Sequence, residues 1–338
     1  MKVLVNGIGN IGTTLVNLLI DYKEKIGVES IYVLKNTPIY QWNSSEIKFL
    51  QKKGVIICTK NDSDEFENFN KIKDQIQYIF DCNANSFGLK NKEWYKKLPN
   101  LLGCCAQGSE KGFGIPHMIG VNDDLIKNKK FVQIVSCNTH SLAAIINLFH
   151  NNSSSLVDGD FVIVRRSEDL GNHQRLVSAN VVSRHLDQNI GTHHCIDVID
   201  LFKTINLDFH IQSSDITTPS QLMHAVRFNL NLNKTIDKEV IIKKIEQSAF
   251  LSQTSKFDSN IIFELGRKYG AYGRIFSHAI IVKNNLLINK KNIKGWAFIA
   301  QEGNTILSTI NAFLKQTNNL EHQFLIELIK NNLLEKEW

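Results

Sequence analysis

Short apolar runs alternate with helix-spaced segments along the first 140 residues. The run at 2–6 reads as a strand, and Leu15, Val16, Leu18 and Leu19 then recur at helical spacing between Thr13 and Tyr22. Further strand-like runs fall at 30–34, 55–58, 78–82, 101–106 and 131–136. Strands separated by helix-capable segments predict a parallel α/β sheet. Beyond about residue 140 the texture changes. Residues 142–149 read as a helix, 151–155 as a loop, and 160–166, 222–232, 279–282 and 296–300 as strands in less regular alternation. From Asn304 onward Ile306, Leu307, Ile310, Phe313 and Leu314 share one helical face, and 324–334 is a second amphipathic segment. The predicted fold is α/β, with an N-terminal Rossmann-type parallel sheet at 1–138 and an α+β catalytic domain with a mixed or antiparallel sheet at 139–301. A C-terminal helical stretch at about 302–338 is expected to return to the Rossmann domain.

A chain of 338 residues is too long for one ordinary core and fits two domains. No apolar run approaches the ~20 residues that span a bilayer. The N-terminus lacks the apolar stretch and cleavage site of a signal peptide, so a cytoplasmic protein without a membrane partner is expected. The net charge of +6 is spread along the chain without a dense Lys/Arg block, and no nucleic-acid partner is expected. None of the six cysteines forms a Cys-x-x-Cys pair, which predicts free thiols and no metal site.

Gly7-Ile8-Gly9-Asn10-Ile11-Gly12 follows the first strand and opens a helix, the context in which a glycine-rich turn binds a dinucleotide. The glycines let main-chain N–H groups approach a pyrophosphate, and the helix N-terminus favours its charge. An NAD-selective site usually carries a carboxylate ~20 residues further on. This chain has Lys35-Asn36 at the end of the second strand, and Lys35 lies 35 − 12 = 23 positions after Gly12. A lysine attracts a 2′-phosphate, so NADP or NAD is the expected cofactor, with NADP preferred. A solvated lysine at a strand end is the plainer alternative.

Ser136-Cys137-Asn138-Thr139-His140 follows the last strand of the first domain and precedes a helical segment beginning near Ser141. A cysteine at a helix N-terminus sits where the dipole favours thiolate, the nucleophilic form. An inert buried cysteine is the default for any single thiol.

These residues resemble the archaeal-type (class II) glyceraldehyde-3-phosphate dehydrogenases over nearly the whole chain. The ordered set comprises the glycine turn, Lys35-Asn36-Thr37-Pro38, Phe80-Asp81-Cys82 with Lys90-Asn91, and Gln107-Gly108-Ser109-Glu110-Lys111. It continues through Ser136-Cys137-Asn138-Thr139, Arg165-Arg166, His193-His194, Leu222-Met223-His224 and Gln301-Glu302. The resemblance implies that Cys137 attacks the aldehyde of glyceraldehyde 3-phosphate and that a base assists oxidation to a thioester. Inorganic phosphate would then cleave the thioester to 1,3-bisphosphoglycerate. It favours His224 as that base, with His193 and His194 as rivals or as phosphate ligands. It places Gln107, Gly108 and Gln301 at the cofactor, Asn138, Thr139, His140, Arg165, Arg166, His193 and His194 at substrate or phosphate, and implies a homotetramer. Adjacent arginines on a strand point to opposite faces, so at most one faces the site directly and the other suits an ion pair. Two departures stand out: His140 and Ser141 replace a Thr and a Gly of the family pattern, and Ser167-Glu168-Asp169-Leu170 replaces its Ala-Asp-Pro. They leave open a related dehydrogenase of another phosphorylated aldehyde, or a nucleotide-binding scaffold without turnover.

Overall fold

Eight parallel strands make the first sheet: β1 (Lys2–Asn6), β2 (Ser30–Leu34), β3 (Ile56–Thr59), β4 (Glu67–Asn68), β5 (Tyr78–Asp81), β6 (Gly103–Ala106), β7 (Ile115–His117) and β8 (Phe131–Ile134). The computed structural model describes residues 1–39, 44–84, 86–108, 110–150, 156–170 and 172–338. Ser109 and the loop expected at 151–155 lie outside the described residues. The sheet belongs to a first compact unit formed by Met1–Val135 and Ile306–Ile329. Its strand order is β4-β3-β2-β1-β5-β6-β8-β7. The chain winds one way from β1 and the other way from β5, so the carboxyl ends of these two strands flank the point where a doubly wound sheet opens a crevice. β5 and β6 are buried along their whole length, as strands covered on both faces must be.

Every strand expected in this unit is present. The pattern did not disclose β4 or β7, because Glu67-Asn68 is polar and Ile115-Pro116-His117 carries a proline, tolerated here at the sheet edge. The helix Ile306–Gln316 packs onto the same sheet. Phe313 meets Tyr78 and Phe80 edge-on or tilted, with ring centroids 4.9 and 5.5 Å away, and the Tyr78 hydroxyl donates to Gln316 Oε1 over 2.6 Å.

The second unit comprises Ser136–Thr305 and Lys330–Trp338. Its strands are β9 (Leu156–Arg165), β10 (Val181–Val182), β11 (His210–Thr217), β12 (His224–Leu232), β13 (Leu251–Thr254), β14 (Ala279–Val282), β15 (Leu287–Asn289) and β16 (Asn292–Ile299). They form a mixed sheet in the order β10-β11-β9-β12-β16-β14-β13, with β15 on β16. β9 pairs parallel with β11 and antiparallel with β12. β11 escaped the apolar pattern because two of its inward positions, Ser213 and Asp215, are polar and only 2% exposed.

The helix Cys137–His150 begins four residues earlier than expected. Ser136 accounts for the difference: its hydroxyl accepts from the Thr139 N–H over 3.2 Å and its carbonyl from the His140 N–H over 2.9 Å. Such a cap satisfies main-chain donors that a later start would leave open, and it makes Cys137 the first helical residue. Among the described residues no helix is long and apolar enough to cross a membrane.

Candidate active site

The glycine turn after β1 is shaped by contacts that only glycine permits. Gly7 has φ +97°, and a Cβ on Gly12 would stand 2.2 Å from the Gly7 carbonyl oxygen. At Gly9 a Cβ would meet nothing within 4 Å, so the surface in front of the helix Asn10–Tyr22 is open. This cradle fits a pyrophosphate held by main-chain N–H groups at a helix N-terminus. Gly12→Ala is expected to force the turn apart, with overpacking costing ~1–3 kcal/mol, and to weaken dinucleotide binding at least ~10-fold. Titration with NADPH, followed by fluorescence, checks this. An unchanged affinity in a folded variant would move the dinucleotide away from this turn.

Polar side chains close the same end of the sheet. Asp81 accepts from the Tyr95 hydroxyl and from Asn91 Nδ2, and Asn6 Nδ2 donates to Tyr95 over 2.7 Å. Asn36 Nδ2 donates to Asn6 Oδ1 and Asn83 Oδ1, at 2.7 and 3.1 Å. Lys35 follows β2, its ammonium donating to the Thr37 hydroxyl, and partial burial lowers its pKa against the pull of Glu46. Glu110 accepts from the Ser86 and Leu89 main-chain N–H groups and so fixes the start of the helix Phe87–Tyr95. Gln107 donates to the Thr309 hydroxyl, while its own Oε1 is buried without a hydrogen-bond partner. Gly108 has φ +77° and open space around its Cβ position.

Within the second unit, Cys137 heads its helix beside a buried charge cluster. Arg166 is 3% exposed, and its Nη2 donates to Glu302 Oε1 over 2.6 Å and to Asp169 Oδ1 over 2.7 Å. Burial pushes the Cys137 thiol up to about 12, with the Arg166 guanidinium pulling down and the Asp169 and Glu302 carboxylates pushing up. Desolvation of the sulfur works against the thiolate that the helix terminus favours, while the main-chain donor at Asn138 works for it. Asn304 Nδ2 ties the Cys137 carbonyl to that of His278 at 3.0 and 3.2 Å.

His224 begins β12 and is 6% exposed. Its Nδ1 accepts from the Arg166 main-chain N–H over 2.8 Å, and the Gln301 side-chain amide lies 2.7 Å from its Nε2. Burial holds this imidazole well below its ordinary range, assisted by the guanidiniums of Arg166 and Arg165. A cavity of about 30 Å³, lined in part by Met223, Arg274, Gln301 and Glu302, adjoins it.

The second arginine belongs to a different cluster. Arg165 Nη1 lies 3.8 Å from Asp215 Oδ1, and its Nε is buried without a hydrogen-bond partner. Asp215 also meets His194 Nε2 at 3.2 Å and accepts from the Ser183 hydroxyl. Burial pushes the Asp215 carboxyl up, but His194, Ser183 and Arg165 bring it down to about 2. The His193 and His194 rings are tilted against each other, with centroids 4.0 Å apart. Donor atoms of His193, His194 and Asp215 lie within 4.8 Å of one another, a spacing a cation could bridge, but the adjacent guanidinium favours an anion.

The structure thus gathers Cys137, Arg166, His224 and Gln301 in one cluster and Arg165, His193 and His194 in another. Asn138 and Thr139 are buried in the first turn of the Cys137 helix. His140 is fully buried, bonds through Nδ1 to the Ser136 carbonyl at 3.0 Å and meets the His278 ring edge-on at 4.9 Å. It lies on the inner face of its helix. Sequence reasoning did not single out Asp215 or His278; the alternation of Ile211, Ser213 and Asp215 was the available signal for the first.

No protein-family model matches the chain. It is 23% identical to the glyceraldehyde-3-phosphate dehydrogenase of Sulfolobus acidocaldarius, in an alignment covering 98% of this chain and 97% of that protein. The corresponding enzyme of Sulfurisphaera tokodaii is 26% identical and that of Pyrobaculum islandicum 24%, each alignment covering 92% of this chain and 91% of the relative. The likeness is to the archaeal type of glyceraldehyde-3-phosphate dehydrogenase. It extends across both units, so the glycine turn and the Cys137 cluster fall within a single full-length resemblance.

Proposed function

We propose that this chain is a phosphorylating glyceraldehyde-3-phosphate dehydrogenase that oxidises its aldehyde through a thioester on Cys137. The observation that carries the reading is Cys137 itself, the first residue of a capped helix, beside a buried guanidinium, in a chain similar to such enzymes over nearly its whole length. A thiol splits the oxidation into two easier steps, thiohemiacetal to thioester and thioester to acyl phosphate. Gly7 to Gly12 would hold the dinucleotide, which supplies the two-electron acceptor when bound. Arg165, His193 and His194 would hold phosphate, since they pair a half-exposed guanidinium with two imidazoles. Arg166 already holds two carboxylates through Nη2 and would act on the thiol through its charge.

Turnover is expected to require inorganic phosphate together with glyceraldehyde 3-phosphate and NADP or NAD, read as absorbance of the reduced nicotinamide. Turnover on a different phosphorylated aldehyde alone would keep the chemistry and change the substrate. Dinucleotide binding without turnover on any aldehyde would leave a scaffold.

Lys35 supports a preference for NADP. It stands at the strand end where a 2′-phosphate is read, with its ammonium already turned to the Thr37 hydroxyl beside it. Lys35→Ala is expected to reduce the NADP to NAD ratio of kcat/KM by ~10-fold, the scale of one charge-assisted contact. An unchanged ratio would remove Lys35 from cofactor choice.

A further inference from the structure

Two buried polar atoms without hydrogen-bond partners belong to side chains that line one cavity. They are Arg274 Nε, a donor, and Gln301 Oε1, an acceptor. Folded chains seldom leave such atoms unsatisfied, so each calls for an explanation. The cavity lies within the second unit, beside the helix Ser259–Tyr269, where the chain enters β12 and leaves β16. Phe263 and Ile275 are among its apolar walls, and it is partly open to solvent.

Local structure fixes the root of Arg274 there. Tyr272 and Gly273 are both left-handed, with φ +55° and +68°, and the Arg274 N–H is tied to the Ala271 carbonyl over 3.0 Å. Gly303 closes on the same segment. A Cβ at Gly303 would stand 2.1 Å from the Ile275 carbonyl oxygen and 3.4 Å from Arg274 Cβ. The stem of Arg274 is thereby held against the turn that carries Gln301 and Glu302. Arg166 bonds Glu302 and Asp169, and Arg165 stands 3.8 Å from Asp215. Among the described residues no carboxylate pairs with Arg274. Glu302 also lines the cavity, but its charge is met by the 2.6 Å bond from Arg166.

We propose that this cavity binds a small oxyanion that also carries a hydroxyl, a phosphomonoester or a hydroxycarboxylate, with Arg274 taking the anion and Gln301 Oε1 accepting from the hydroxyl. Nε–H and an Nη–H on one edge of a guanidinium form a parallel pair of donors that matches two oxygens of either group. A volume of about 30 Å³ has room for about two waters, which suits an anionic head with the rest of the ligand in the open mouth. The lining includes none of Arg165, His193 and His194, so the site is separate from the one proposed for phosphate. It stands whether or not the chain oxidises an aldehyde.

Phenylglyoxal, which labels guanidiniums, tests this on the wild-type chain, with the Arg274 peptide followed by mass spectrometry. Labelling of Arg274 should slow ~10-fold with sn-glycerol 3-phosphate or D-glycerate at ~10 times its Kd, and the ligand that protects tells phosphoryl from carboxylate. Glycerol, which lacks the anion, should not protect. The matching anion without a hydroxyl, methyl phosphate or acetate, should need a ~10-fold higher concentration. In calorimetry Arg274→Gln should weaken the protecting ligand at least ~10-fold, and Arg274→Lys should recover part of the loss. An Arg274 that does not label, or labels equally with and without both ligands, would overturn the proposal. So would equal protection by the anion without a hydroxyl, or an affinity unchanged in a folded Arg274→Gln. Labelling of the wild type decides the matter even if the variant does not fold. Binding at Arg165 is read on a different residue, and no step needs turnover, so a failed dehydrogenase assay leaves the result intact.

Discussion

Replacing Arg166 with methionine is expected to destabilise the protein by about 3–5 kcal/mol, because it leaves the Glu302 carboxylate buried without its counter-charge. Glu302 is 7% exposed and takes its 2.6 Å bond from Arg166, whereas Asp169, the other partner, has a side chain 67% exposed and can turn to water. Removing both buried charges in Arg166→Met/Glu302→Gln should recover most of the loss, since no unpaired ion remains. The reverse order, with the double variant less stable than Arg166→Met, would mean that the pair is not a buried ion pair. Denaturant unfolding of the two variants and the wild type measures this. The same substitution should push the Cys137 thiol higher still, because Arg166 is the group that pulls it down.

Cys137→Ser is expected to lower kcat by at least ~10³-fold, since a hydroxyl lacks the nucleophilicity on which thioester chemistry depends. Its effect on folding should be small, the two side chains being nearly the same size. In the wild type, burial raises the pKa of the thiol. With a pKa of about 12, its alkylation by iodoacetamide should rise ~10-fold per pH unit between about pH 7 and 10. The sign follows from the raised pKa: the thiol form persists until the pH approaches that value. A plateau reached near neutral pH would mean that Arg166 and the helix terminus overcome burial.

The parallel sheet was legible because its strands are buried on both faces and therefore read as plain apolar runs, as in Tyr78–Asp81. The glycine turn was legible because Gly7 and Gly12 answer local demands, the first a positive φ and the second a close approach to the Gly7 carbonyl. The second unit was less so. Strand β11 carries polar residues on its inner face, and those residues, Ser213 and Asp215, serve the helix and histidines beside them. The true start of the Cys137 helix depends on Ser136, whose capping role is a matter of one hydroxyl and one N–H.

Adjacency on a strand implies that Arg165 and Arg166 point to opposite faces, but the carboxylates they meet, Asp215 and Glu302, lie far along the chain. His140 illustrates the same limit. Its place three residues after Cys137 suggested the substrate, while its burial involves His278, just before β14 and far along the sequence. Nothing local distinguishes a titratable side chain that faces a site from one that fills a core.

The central claim is the thioester on Cys137, and a single turnover without phosphate tests it most directly. Protein mixed with glyceraldehyde 3-phosphate and NADP should release one reduced nicotinamide per Cys137 and then stop. Mass spectrometry of the quenched protein should find the acyl group on the peptide that contains Cys137, and added phosphate should discharge it and restart turnover. Reduced nicotinamide formed with no acyl group on that peptide, or a burst undiminished in Cys137→Ser, would contradict the account.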